Sequence, residues 1–97
     1  MAKGYWITTY KSISDMSKVE AYAKLAGPAI EMHGGVYLAR GIAVATYEVG
    51  IKERTVLSVF PSVVAAIAAH DGEEYTAALA ALGDGAVREI RIVEGTA

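Results

Sequence analysis

Cysteine is absent from this 97-residue chain, and its absence excludes disulfides, thiolate catalysis and cysteine-based zinc sites. An uninterrupted run of about 18 apolar residues, which a membrane-spanning helix needs, is also missing from the sequence. Charges of both signs are scattered along a chain of net charge −2, and no basic stripe is present to bind a nucleic-acid backbone. We therefore expect neither a membrane nor a nucleic acid among its partners.

Several sequence motifs for cofactors and catalysis are lacking as well. There is no Walker phosphate loop, no Gly-x-Gly-x-x-Gly after the first apolar run and no Gly-x-Ser-x-Gly. The two histidines are not spaced as HxH or HxxxH, so no metal site is expected. The sequence thus predicts no cofactor. Residues 1–4 lead into an apolar run without the features of a signal peptide, which favours a cytoplasmic protein.

The length and composition of the chain indicate one small domain with extra buried surface. Residues 1–97 are predicted to form a single domain. Hydrophobic residues make up 54% of the chain and charged residues 21%. That is apolar for a small domain, in which much of the surface stays exposed. Burial at a subunit interface would account for the excess.

The order of the apolar segments predicts the fold. Strand-like runs cover residues 5–10, 36–49, 55–60 and 87–93. Apolar residues at helical spacing lie between the first and second runs, and again between the third and fourth. This β-α-β-β-α-β order is that of a split pair of βαβ units. We expect an α+β domain with one antiparallel sheet and two helices on one of its faces.

Local signals refine this prediction at four places. Ser14-Asp15 is a helix N-cap signal, because short polar side chains accept hydrogen bonds from the first turn of a helix. Gly27-Pro28 predicts a kink or break in the first helix, and Asp71-Gly72 predicts a break in the second. Arg40-Gly41 predicts a bulge or bend inside the second strand.

The pattern of the strands favours a dimer. A sheet that is covered on one side should alternate apolar and polar residues. In the third run, however, Val56 and Phe60 point one way while Leu57 and Val59 point the other. Two helices cover only one face, so a second copy of the chain is expected to cover the other.

Several stretches carry a resemblance to a known family: Lys3-Gly4-Tyr5-Trp6-Ile7, Gly27-Pro28-Ala29-Ile30, Gly34-Gly35-Val36-Tyr37-Leu38-Ala39-Arg40-Gly41, Phe60-Pro61-Ser62 with Ala65-Ala66, Asp71 with Glu74-Tyr75, and Ile92-Val93-Glu94-Gly95. With these stretches the chain resembles the domain-of-unknown-function 1330 family, within the dimeric α+β barrel superfamily. The resemblance implies a ferredoxin-like fold whose sheets pair across a homodimer, and it implies no established reaction. Relatives in the superfamily include cofactor-free monooxygenases, small-molecule isomerases and decarboxylases, and ligand-binding regulatory domains.

One region departs from the family pattern. Ala69-His70 stands where an aromatic pair usually precedes the Asp, and Gly72-Glu73 replaces a usual Ser-Pro. An Arg often found near the position of Leu82-Gly83 is missing. A member with these changes is expected to bind something different or to have lost an activity.

His33 and Arg40 are the candidate catalytic residues. His33 ends an apolar helical stripe, and its imidazole, which titrates near neutral pH, would serve as a general base facing a pocket. The alternative is a helix-ending histidine that favours the helix dipole. Arg40 precedes a strand bend, where a guanidinium would hold an anion or carboxylate; a structural ion pair is the alternative.

Aromatic residues are the candidates for ligand contacts. Tyr5, Trp6, Tyr22 and Tyr37 would line a pocket for a planar ligand, although such residues are more often simply core. His70 and Tyr75 flank the break in the second helix and would form a lid over that pocket or merely cap the helix.

These observations lead to one leading hypothesis and two alternatives. The first is a homodimer that binds a small, partly aromatic or carboxylated molecule between sheet and helices. Any catalysis would be cofactor-free, with His33 accepting a proton and Arg40 holding negative charge. The alternatives are a non-enzymatic dimer that binds a metabolite or a protein, and a member that has lost its site. The first hypothesis requires His33, Arg40 and an aromatic ring to converge on a cavity of about 300 Å³ or more.

Overall fold

The strands and helices follow one another in the predicted order, and the second helical segment is divided in two. A computed structural model describes residues 2–97. The elements are β1 (Gly4–Ile13), α1 (Met16–Met32), β2 (Val36–Ile42), β3 (Arg54–Phe60), α2 (Val63–Asp71), α3 (Glu73–Leu82) and β4 (Ala86–Glu94). The predicted α+β class is confirmed.

The four strands form one antiparallel sheet in the order β2-β3-β1-β4. The central strand β1 sets Trp6 opposite Ser58 of β3 and Ile92 of β4. Because side chains alternate along a strand, these residues share one face. That face carries the helices, and we call it the helix-covered face.

The core lies between the helix-covered face and the three helices. Tyr75, Phe60 and Ser58 are its largest fully buried side chains. The Trp6 ring packs edge-on against Tyr75, with 4.9 Å between ring centres, and stacks on Phe60 at 6.0 Å. The first strand is thereby joined to α3 through aromatic contacts, which are among the larger contributions to a small core.

Three of the local signals concern where helices begin, end or break. Asp15 is the N-cap of α1 and accepts a hydrogen bond of 3.0 Å from the N–H of Ser17, as predicted. The predicted break at Asp71-Gly72 is confirmed, since Gly72 is extended between α2 and α3. Helix α1, in contrast, continues through Gly27-Pro28 to Met32, so of the predicted kink or break the break does not occur.

The second strand is shorter than predicted. β2 ends at Ile42, which pairs with Arg54, the first residue of β3. Residues 43–49 therefore have no strand opposite them, and together with residues 50–53 they form a long connection that we call the arm. The backbone N–H of Ala43 closes it by donating to the Glu53 carbonyl at 3.1 Å.

The irregularity in β2 also lies earlier than predicted. Register shifts between Tyr37 and Ala39, whereas Gly41 pairs regularly with Thr55. The extra residue at position 38 turns Arg40 to the same side as Tyr37, because Arg40 pairs with Val56 and Tyr37 with Ser58, both on the helix-covered face. The bulge therefore decides which way the arginine points.

The opposite face of the sheet, which we call the outer face, has no helix over it. Leu57, Val59 and Ile7 occupy its centre and are half-buried. Val36 and Val93, on the two edge strands, are 58% and 50% exposed. Charged side chains of this face are confined to one side, where Arg91 Nε donates to Glu89 at 2.5 Å. The predicted apolar character on both faces is thus present.

In the region from residue 2 to residue 97, none of the helices combines the length and the apolar character that crossing a membrane requires.

A close approach between α1, β2 and β3 makes Gly35 sensitive to substitution. A Cβ at Gly35 would lie 2.4 Å from Ile30 Cγ2 and 2.6 Å from Phe60 Cε2. We expect Gly35→Ala to lower the free energy of unfolding by about 1–3 kcal/mol through overpacking. Gly27→Ala is the control, because its Cβ meets nothing within 4 Å, and it should stabilise α1 by about 0.5–1 kcal/mol. Urea unfolding of both variants measures the difference, and equal effects would contradict the packing described.

Candidate functional site

A small cavity lies between α1 and the helix-covered face. All four strands and α1 contribute to its wall. Its volume is about 20 Å³, which is room for about one water. The lining residues are Trp6, Thr8, Tyr10, Tyr22, Ala23, Ile30, Tyr37, Arg40, Arg54, Val56, Ser58 and Arg88.

The floor of the cavity is built by alternation along β1. Trp6, Thr8 and Tyr10 point to the same side and are all buried. The indole Nε1 donates to Thr8 Oγ1 at 2.9 Å, so the buried ring has its polar atom satisfied. The floor is therefore ordered by contacts within the chain itself.

Three arginines reach the cavity from different strands. The Arg88 guanidinium carbon lies 4.4 Å from the centre of the Tyr22 ring. That of Arg40 lies 4.6 Å from the Tyr37 ring. Such stacking attracts the cation to the negative face of the ring.

No carboxylate of residues 2–97 forms an ion pair with these arginines. In the described chain, residues 2–97, the ion pairs involve other basic side chains, and no Asp or Glu lines the cavity. The Nε of Arg54 is buried and has no hydrogen-bond partner among these residues. A buried donor without a partner costs free energy, so the cavity presents concentrated positive charge and an unused N–H.

A hydrogen-bonded chain connects Arg88 to the cavity wall. Arg88 Nη2 donates to the Tyr75 hydroxyl at 3.0 Å, and the hydroxyls of Tyr75 and Tyr22 share a hydrogen bond of 2.7 Å. Burial, with the neighbouring Tyr22, raises the pKa of Tyr75, and burial also raises the pKa of Tyr37. Both of these hydroxyls therefore stay protonated at neutral pH and serve as hydrogen-bonding groups.

Four of the residues singled out in the sequence come together here. Trp6, Tyr22, Tyr37 and Arg40 all line the cavity. Tyr75 is fully buried directly behind Tyr22. It supports the wall instead of closing a lid over it.

The remaining predicted residues lie elsewhere. Tyr5 is on the outer face, on the other side of the sheet from Trp6. His70 packs against the Trp6 ring at 5.5 Å, and its Nδ1 lies 3.0 Å from Asp71 Oδ1. His33 is the C-cap of α1, beside Gly72 and outside the cavity lining.

The cavity also differs from the predicted pocket in size. Its volume is far below the 300 Å³ that the leading hypothesis requires, and His33 does not converge on it with Arg40. The general-base role of His33 stays a prediction without geometric support. Across residues 2–97, no three His, Asp or Glu side chains are grouped as a metal site would require.

Arg54, Arg88 and Tyr10 were missed by the sequence analysis. The sequence does contain a signal for Arg88 and Arg54. Arg88 alternates in step with Ile90 and Ile92, so it lies on the same face of its strand as they do, and Arg54 lies on the same face as Val56 and Phe60. An arginine in register with the apolar residues of a strand points towards the core, where a charge needs a partner.

Comparison with known proteins identifies the family. The model of the family described as Domain of unknown function (DUF1330) matches residues 3–96. The chain therefore belongs to the DUF1330 family. No curated protein matches it.

Solved structures show the same fold at low sequence identity. A protein of unknown function from Rhodopseudomonas palustris is 16% identical, with a TM-score of 0.71, over 96% of this chain and 80% of that one. A dimeric ferredoxin-like protein of unknown function from Thermobifida fusca is 18% identical, with a TM-score of 0.64, over 96% and 91%. SnoaB, a cofactor-independent oxygenase from Streptomyces nogalater, is 12% identical, with a TM-score of 0.56, over 95% and 89%. The ferredoxin-like fold expected from the resemblance is confirmed.

The hydroxyl of Tyr75 holds the cavity wall together. We expect Tyr75→Phe to lower the free energy of unfolding by about 1–3 kcal/mol, because Tyr22 and Arg88 each lose a hydrogen-bond partner in a buried place. Tyr47→Phe is the control, since Tyr47 is 82% exposed in the arm, and its effect should stay within about 0.5 kcal/mol. Urea unfolding at one fixed protein concentration, followed by the fluorescence of the single tryptophan, measures both. Equal stability of the two variants would show that the hydroxyl chain contributes nothing.

Proposed function

We propose that this protein is a homodimer that binds a small organic molecule, with the polar head of the molecule in the cavity between sheet and helices. The observation that carries the proposal is the convergence of aromatic rings and arginine donors on one cavity, where Arg54 Nε is buried without a partner. Binding sites commonly combine apolar walls with a few precisely placed polar groups.

The geometry supports binding more than acid–base catalysis. A general base works best with a pKa near the working pH. The titratable side chains that line the cavity are tyrosines and arginines, and neither histidine is among them. The metabolite-binding alternative of the sequence analysis therefore has the better support.

The size of the cavity fixes how a ligand would sit. About 20 Å³ would admit the tip of a polar head group, such as one oxygen atom, and not a whole aromatic molecule. Arg40 is exposed and Tyr37 half-buried, so the cavity meets solvent beside β2. The body of the ligand would extend past these two side chains.

The outer face supports the homodimer. Leu57, Val59 and Ile7 form an apolar centre flanked by the exposed Val36 and Val93. Contiguous apolar surface of this kind marks an interaction site, and a second copy of the chain offers a surface that matches it by symmetry. The Thermobifida fusca protein of the same fold is described as dimeric.

The arm adds apolar surface beside the same face. Val44, Tyr47 and Val49 are 91%, 82% and 96% exposed, which is costly in water for large apolar side chains. The arm and residues such as Thr9 and Arg91 of the outer face enclose a groove of about 520 Å³. A partner packed on the outer face would reach this groove as well.

The oligomeric state tests the first half of the proposal. We expect size-exclusion chromatography with light scattering to give about twice the chain mass of 10.2 kDa. Val36→Asp should shift the protein to monomer, because it places a charge in the proposed interface.

Val64→Asp is the matched control for this measurement. Val64 is 77% exposed on α2, away from the outer face, so this variant should stay dimeric. A wild-type monomer at micromolar concentration, or equal behaviour of the two variants, would contradict the dimer.

Thermal unfolding with a panel of small organic acids, amides and alcohols tests the second half. Ligands that bind the native state raise the apparent midpoint. We expect a rise for wild type and for Ala21→Leu, which is exposed on α1, and a loss of the response in Ala23→Leu, which fills the cavity wall. His33→Ala should respond like wild type. A panel without any response in wild type would refute the binding function.

A further inference from the structure

We infer that the ligand of this cavity is an anion, a small organic acid whose carboxylate sits among Arg40, Arg54 and Arg88; the inference rests on the proposed binding function. The three guanidinium groups come from β2, β3 and β4 and line one cavity. Each of these three strands supplies one positive charge to the cavity. No negative side chain of residues 2–97 lines that space with them.

The tyrosine rings explain how the cations are tolerated without a ligand. Arg88 lies over Tyr22 and also 5.5 Å from the Tyr10 ring, and Arg54 lies 5.9 Å from Tyr10. A ring face attracts a cation but accepts no conventional hydrogen bond from its N–H edge. The charge is therefore partly stabilised. Arg88 also donates to the hydroxyls of Tyr75 and Tyr10, so the unused hydrogen-bonding capacity is clearest at Arg54.

Arg54 shows most directly what is missing. Its Nε is buried and has no partner, although a protein usually pairs such a group. A carboxylate accepts two parallel N–H bonds from one guanidinium, so it would satisfy this donor and offset the repulsion among three like charges. A neutral amide or alcohol would supply an acceptor without offsetting the charge.

The small volume agrees with a carboxylate. A cavity of about 20 Å³ has room for about one water, so it would take one oxygen of a carboxylate, while the rest of the ligand lies beside the exposed Arg40. The aromatic wall contributed by Trp6 would lie against the part of the ligand next to its carboxylate. The site thus selects an acid with a compact carbon skeleton near the charge.

The test uses two pairs of probes, each an anion and a neutral molecule, and the readout is the fluorescence of Trp6, the single tryptophan. Benzoate is compared with its neutral isostere benzamide, and the anionic quencher iodide with the neutral quencher acrylamide. The proteins are wild type, Arg54→Gln and Lys24→Gln, the last being a control that removes the same charge from the exposed face of α1.

We expect wild type to bind benzoate at least about tenfold more tightly than benzamide, and iodide quenching to saturate. Arg54→Gln should lower the affinity for benzoate by about tenfold or more and leave the affinity for benzamide unchanged, while Lys24→Gln should bind both as wild type does. Arg40→Gln, at an exposed position, should also lower the affinity for benzoate. This variant replaces Arg54→Gln in the test if Arg54→Gln does not fold.

The failures are distinguishable. Equal binding of benzoate and benzamide, unaffected by Arg54→Gln, would overturn the anion and leave the binding function standing. Saturable iodide quenching that Arg54→Gln abolishes, without binding of any organic probe, would support the anion site and count against the proposed function. Unsaturable iodide quenching that is equal in all variants would overturn the anion site as well.

Discussion

Positive charge that lacks a counter-charge is the constraint on which the helix-covered side of this protein depends. Three arginines line the cavity between sheet and helices, and tyrosine rings lie against them while no carboxylate of residues 2–97 pairs with them. A guanidinium on a ring keeps part of its hydrogen-bonding edge free. Tyr22 and Tyr75 share a hydrogen bond beside Arg88, and Arg88 donates to Tyr75 and lies over Tyr22.

The sheet links this cavity to the proposed dimer. Its strands alternate so that arginines and aromatic rings lie beneath the helices while Ile7, Leu57 and Val59 lie on the outer face. The helices leave the second apolar surface uncovered, and the exposed arm adjoins it. A dimer would bury that surface and leave the cavity of each protomer on the far side, beside its own helices.

Much of the fold follows from the sequence because its signals are local. The alternation in β1 and β3 sets the two faces, and Asp15 and Gly72 mark helix ends by their own chemistry. The predicted end of β2 was wrong because a strand needs a partner to pair with. Residues 43–49 have the composition of a strand, but β3 begins only at Arg54.

The candidate site was predicted in part for the same reason. Trp6, Tyr22, Tyr37 and Arg40 were recognised as aromatic or charged residues in apolar surroundings, and they converge. Arg54 and Arg88 required knowledge of which strands are neighbours, since β4 reaches the site only by pairing with β1. The bulge at position 38, which turns Arg40 inward, had no signal at that residue. His33 attracted attention by its chemistry, whereas its place is set by the end of α1.

The nitrogen-15 resonance of the Arg54 side-chain Nε tests the anion account most directly, because that N–H is the buried donor without a partner. The account predicts that a small carboxylate shifts this resonance in a saturable way, and that its neutral amide does not. An Arg54 resonance that stays unchanged while the carboxylate binds elsewhere on the protein would contradict it.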